Sequence, residues 1–97
     1  MCTAANEALI SEIIDEKMNA GEAFTAWDIT SEAKKRGADE YHPQLKGAVH
    51  ARWPYLTLSG YNRQTIAIPG VTPPPWLYYP DGYDPDTYIG ALDISTD

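Results

Sequence analysis

Apolar residues recur at helical spacing as far as Pro54 and at the spacing of a strand beyond it, and this single change of period limits what the chain can build. With 97 residues it can close one small core. The pattern predicts an α+β fold in which helices come first and a small antiparallel sheet follows.

The first helix is the clearest element. Leu9, Ile10, Ile13, Ile14 and Met18 share one face, Glu7, Glu12, Asp15 and Glu16 lie mostly on the other, and Gly21 ends it. A short extended link holds Phe24. In "TAWDITSEAKKRG", Thr25 and Asp28 have the spacing of a capping box and Gly37 follows a basic last turn, so a second helix is expected with Ile29 and Ala33 inward and Trp27 shielding its first turn. A third helix is expected over residues 43–53, since His42 precedes Pro43 and Pro54 marks the other end. His42 is expected to cap it. Leu45, Ala48, Val49 and Trp53 fall on one side of this helix, and Gln44, Lys46, Gly47, His50 and Ala51 on the other. Glycine inside a helix costs about 1 kcal/mol relative to alanine. Gly47 in the middle of the outer face therefore suggests close approach by DNA, the alternatives being a tolerated weak spot or another helix packed across it.

Beyond Pro54, "YLTLSG" and "YNRQTIAI" place Leu56, Leu58, Ile66 and Ile68 at period two, "PGVTPPP" interrupts, and "WLYY" resumes an apolar strand. The order of helix, short extended link, helix, helix, strand, loop and strand is that of a winged helix-turn-helix with three helices and Arg63 on the wing. The expected core is Leu9, Ile13, Ile14, Phe24, Ile29, Leu45, Val49, Ile66 and Trp76. Residues 1–80 would form this domain and residues 81–97 an irregular acidic tail rich in proline, tyrosine and aspartate. Trp76, Tyr78, Tyr79, Tyr83 and Tyr88 would cover the chain's own core or dock a partner or a second subunit.

Net charge is −7, which argues at first sight against phosphate binding. Its distribution is uneven. Residues 1–24 carry five acidic side chains and one basic one, and residues 69–97 carry five aspartates and no base. Between them Lys34, Lys35, Arg36, Lys46, Arg52 and Arg63 face only Asp28, Glu32, Asp39 and Glu40. Lys34, Lys35 and Arg36 equally suit the negative end of a helix.

The run "FTAWDIT", then "YHPQLKGAVHARW", "GYNRQTIAI" and "PPPWLYYPDGYDPDTY", resembles a group of small bacterial and phage winged-helix proteins with F-T-A-x-D-[VI]-T, third-helix V-H, Y-x-R and W-L-Y-x-P motifs. The resemblance spans about three quarters of the chain. It implies the fold and a nucleic-acid role, with Thr25, Asp28, Ile29 and Thr30 opening the second helix, His42, Val49 and His50 in the third, and Tyr61 and Arg63 beginning the wing. The chain departs from that group in its acidity and in the few basic residues on helix three.

The expected function is that of a DNA-binding transcriptional or mobile-element regulator, in which helix 43–53 enters the major groove. Its contacts would be Lys34, Lys35, Arg36, Gln44, Lys46, Gly47, His50 and Arg63, with double-stranded DNA as partner. The alternative is an acidic protein-interaction or inhibitor module on the same fold, mimicking nucleic-acid charge. No enzyme is expected, since His42 and His50 have no nucleophile or third ligand at a spacing that forces them together. The one cysteine, Cys2, excludes an internal disulfide and a cysteine metal cage. Asp81, Asp84 and Asp86 lack the ligand alternation of a calcium loop, so no metal or cofactor is expected. No run is long and apolar enough to span a bilayer, and the acidic N-terminal stretch is unlike a signal peptide, so a cytoplasmic location without membrane contact is expected.

Overall fold

The computed structural model describes residues 3–92; Cys2 and residues 93–97 of the acidic tail lie outside them. The fold is mixed α+β. In chain order it comprises α1 (Ala4–Asn19), β1 (Phe24–Thr25), α2 (Ala26–Lys35), α3 (His42–His50), α4 (Trp53–Leu58), β2 (Tyr61–Thr65), β3 (Trp76–Pro80) and α5 (Pro85–Leu92). The three strands form one antiparallel sheet in the order β1-β3-β2. No helix among the described residues is long and apolar enough to cross a membrane.

Local chemistry sets the first two helices. Thr3 accepts from the Asn6 amide at the start of α1, and Gly21 takes a positive φ of 67° just past its end. The capping box of α2 is complete. Thr25 Oγ1 accepts from the Asp28 amide at 3.3 Å and Asp28 Oδ2 accepts from the Thr25 amide at 2.9 Å. Gly37, at φ 108°, lets the chain turn away after α2. Ile10, Ile13 and Ile14 of α1, Ile29 and Ala33 of α2, and Leu45 and Val49 of α3 meet Phe24, Leu56, Tyr61 and Tyr78 in one buried cluster. Leu9 packs against this cluster while only partly buried. Ile66 is buried but stands outside it.

Several expectations change. The third helix stops at His50, and Pro54, expected to end it, instead lies in the first turn of α4. Proline breaks a helix it enters from behind yet suits the first turn of the next one. The segment holding Leu56 and Leu58 is consequently helical rather than extended, with Leu56 buried and Leu58 86% exposed. Three expected helices become five helical segments among the described residues. His42 does not cap α3. It is the first helical residue, Tyr41 is the cap, and the His42 ring stacks on Trp27 at 4.4 Å between centroids. Trp27 therefore packs on His42 and is 65% exposed, in place of shielding the α2 core. Trp76 leaves the core for a face 38% exposed, and Leu77 and Tyr78 are the buried residues of β3. Two successive strand residues point to opposite faces, so both sides of β3 are covered at that point.

The segment after β3 is not irregular. Asp84 Oδ1 accepts from the Asp86 amide at 3.0 Å and Pro85 opens α5, so aspartate followed by proline acts as a helix start. Tyr88 then donates to Asp28 Oδ2 at 2.6 Å and lies 3.5 Å from Thr25 Oγ1, which ties α5 to the capping box of α2. Of the tail aromatics, Tyr78 and Tyr88 thus fold back on their own chain.

Candidate nucleic-acid interface

Helix α3 buries Leu45 and Val49, and turns of 100° per residue then carry Gly47 to the opposite side. Its surroundings are open: a Cβ added at Gly47 meets nothing within 4 Å. Lys46 is exposed on one flank of this face. On the other flank an open depression of about 680 Å³ is lined by Tyr41, Pro43, Gln44, Gly47 and Ala51, with Glu7 contributed by α1. The Gln44 Oε1 atom is buried there without a hydrogen-bond partner. The Nε atom of Arg52, beyond the end of α3, is likewise buried and unpartnered, and its guanidinium carbon lies 4.6 Å from the centre of the Tyr55 ring.

Arg63 joins this region from the sheet. It stands opposite Tyr78 across β2 and β3, and directly opposed residues of an antiparallel pair project to the same face. Its guanidinium carbon lies 4.3 Å from the centre of the Trp53 ring and 4.6 Å from that of Trp76. Two aromatic faces thus hold one cation, an arrangement that limits its rotamers while leaving its edge free to form hydrogen bonds. Arg63 is exposed in the middle of β2, against Trp53 of α4.

His50 is half-buried, and its Nδ1 forms a short hydrogen bond with the Tyr78 hydroxyl. Burial lowers the proton affinity of its imidazole, and the positive charges of Lys46 and Arg63 push the same way. Burial raises the pKa of the Tyr78 hydroxyl, and the nearby Arg63 guanidinium, presented to the same oxygen, tempers that rise. Lys46, His50, Tyr78 and Arg63 are therefore one electrostatic neighbourhood. The unfolded chain binds a proton at His50 near pH ~6.5 and the folded chain resists it. His50 thus contributes stability that is present above about pH 6.5 and lost as pH falls towards its lower folded-state pKa. His50→Gln is expected to flatten the pH dependence of the melting temperature between about pH 5 and pH 7, as measured by thermal melts. A parent melting temperature that does not change over that window would contradict this assignment.

The basic end of α2 lies elsewhere and is largely engaged. Arg36 forks onto Glu16 through Nη1 at 2.9 Å and Nη2 at 2.7 Å, reaches Glu32 through Nε at 2.9 Å, and approaches Glu12 at 3.3 Å. Those carboxylates raise its pKa further, and in return Arg36 holds the Glu16 carboxyl below its usual range. Lys34 donates to the Glu40 backbone carbonyl at 2.9 Å, and Lys35 is exposed. Of the eight residues read from the sequence as DNA contacts, Gln44, Lys46, Gly47, His50 and Arg63 share the α3 neighbourhood. Arg36 instead stitches α1 to α2. Trp53, Trp76 and Tyr78, which position Arg63 and His50, escaped sequence reasoning because nothing local links them to either residue.

No group of three or more histidine, cysteine, aspartate or glutamate side chains able to hold a metal ion occurs among the described residues. Comparison with protein-family models, with curated proteins and with solved structures finds no match, so the geometry of the α3 face is what bears on function.

Proposed function

We propose that this chain is a winged-helix DNA-binding protein, a small transcriptional or mobile-element regulator that lays α3 in the major groove. The observation that carries the proposal is the outer face of α3. Gly47 is unobstructed at its centre, and Lys46, His50 and Arg63 gather on its sheet side. The order α1, β1, α2, α3, α4, β2, β3, α5 and the sheet order β1-β3-β2, in which an antiparallel β2–β3 hairpin follows the α2–α3 pair, support the winged-helix assignment. Major-groove entry needs a helix with one free side. Lys46 and Arg63 would contact phosphates, and Gln44 and His50 would face base edges.

The acidic alternative rests on Glu7 at the rim of the depression and on the exposed Asp81, Asp84 and Asp86 after β3. It is a protein-interaction or inhibitor module that takes a basic partner. Retention on duplex DNA or heparin that weakens steeply with salt supports DNA binding, whereas retention only on a basic partner supports the alternative. Lys46→Ala is expected to weaken binding to all duplex sequences and to lower the slope of log affinity against log salt by about one. An unchanged slope removes Lys46 from the interface.

A further inference from the structure

Among the described residues, the hydroxyl of Tyr78 has one hydrogen-bond partner that can receive its proton. The guanidinium of Arg63, the residue opposite it across the sheet, carries no lone pair, so the Tyr78 hydroxyl cannot donate to it. Its proton is left for Nδ1 of His50, with which it makes its hydrogen bond. The opposite polarity would have Nδ1–H donate to the oxygen and leave the proton of a fully buried tyrosine without a recipient, at the cost of an unmade buried bond. Nδ1 is therefore the bare nitrogen, and in neutral imidazole the proton then resides on Nε2. Nε2 has no hydrogen-bond partner among the described residues and is not one of the polar atoms buried without one, so it opens to solvent.

We propose that His50 is a specificity-determining residue whose Nε2–H is presented as a fixed donor by the Tyr78–His50 hydrogen bond, so that it selects a base with a major-groove acceptor, guanine, thymine or adenine, over cytosine. This rests on the DNA-binding proposal for the same face. A donor-only contact finds N7 and O6 of guanine, O4 of thymine or N7 of adenine and is repelled by the amino group of cytosine, which offers no acceptor in the major groove. Neutrality matters here as well, because an imidazolium would add charge attraction to phosphate without choosing among bases.

The test has a structural arm and a binding arm. Long-range proton–nitrogen NMR of the nitrogen-15-labelled protein should show Nδ1 of His50 unprotonated and Nε2 protonated. Selection from a randomised duplex library should then return discrimination against cytosine at one position, roughly 5- to 100-fold relative to the bases that present a major-groove acceptor. Tyr78→Phe, which keeps the buried ring, should remove the His50 pattern in the spectrum and flatten that position. His50→Ala should flatten it too, and serves if Tyr78→Phe does not fold. A proton on Nδ1 of His50, or base preferences unchanged in both variants, overturns the inference while leaving DNA binding intact. A parent that binds no duplex at about 50 mM salt overturns the DNA proposal and this inference together.

Discussion

Replacing Ile13 by alanine is expected to destabilise the protein by about 2–5 kcal/mol. Ile13 is 1% exposed and sits in the cluster where α1 meets α2 and α3. Removing its branched side chain forfeits its transfer from water and leaves a cavity, because neighbouring helices held by Leu45, Val49 and Ile29 close only partly around the gap. For a chain of this size each kcal/mol shifts the melting temperature by roughly 4–8 °C, so the effect is large on any thermal scan. Against a typical total of about 5–15 kcal/mol, the variant retains little reserve. Urea unfolding at constant m-value would give the figure directly. A loss below about 1 kcal/mol would mean that α1 does not close the core as described.

The second large effect is on binding and runs opposite to stability. Gly47→Gln should leave the fold intact or steady it by up to about 1 kcal/mol, because glutamine has the better helix propensity. The site allows it: the backbone there is ordinary helix, and an added Cβ meets nothing within 4 Å. A side chain projecting from the middle of the reading face would hold α3 away from the groove floor. DNA affinity should fall by about tenfold or more, equivalent to about 1.4 kcal/mol for each factor of ten. Thermal melting and a duplex titration on the same sample separate the two quantities. Unchanged DNA affinity together with a raised melting temperature would show that nothing approaches α3 at Gly47, and would turn attention to the acidic α1 side.

Arg63 illustrates how a correct sequence feature acquires a different meaning in space. As an isolated cation after a tyrosine turn it reads as a loose phosphate contact on a wing. Between the Trp53 and Trp76 rings it becomes a positioned cation that lies across the sheet from Tyr78. Its loss would disturb packing as well as charge, so an alanine variant there reports on both. Lys46 and Gly47, which are exposed, are the better probes of the interface.

What the sequence by itself determined is the part governed by neighbours within one turn. The apolar face of α1, the Thr25–Asp28 capping box and the turn at Gly37 all depend on residues three or four positions apart or on one backbone angle, so spacing is enough to read them. The same locality explains the misreadings. Pro54 and Pro85 are compatible both with an end and with a beginning, and only the burial of Leu56 on the inner side of α4 and the Tyr88 bond to Asp28 select the beginning. What only the tertiary structure decided is the working constellation. His50 and Tyr78 are 28 residues apart, and Arg63 meets Tyr78 through the register of β2 on β3. Register turns on which side chains the whole core can bury, and a slip of one residue would send Arg63 to the other face of the sheet, so no local pattern encodes it.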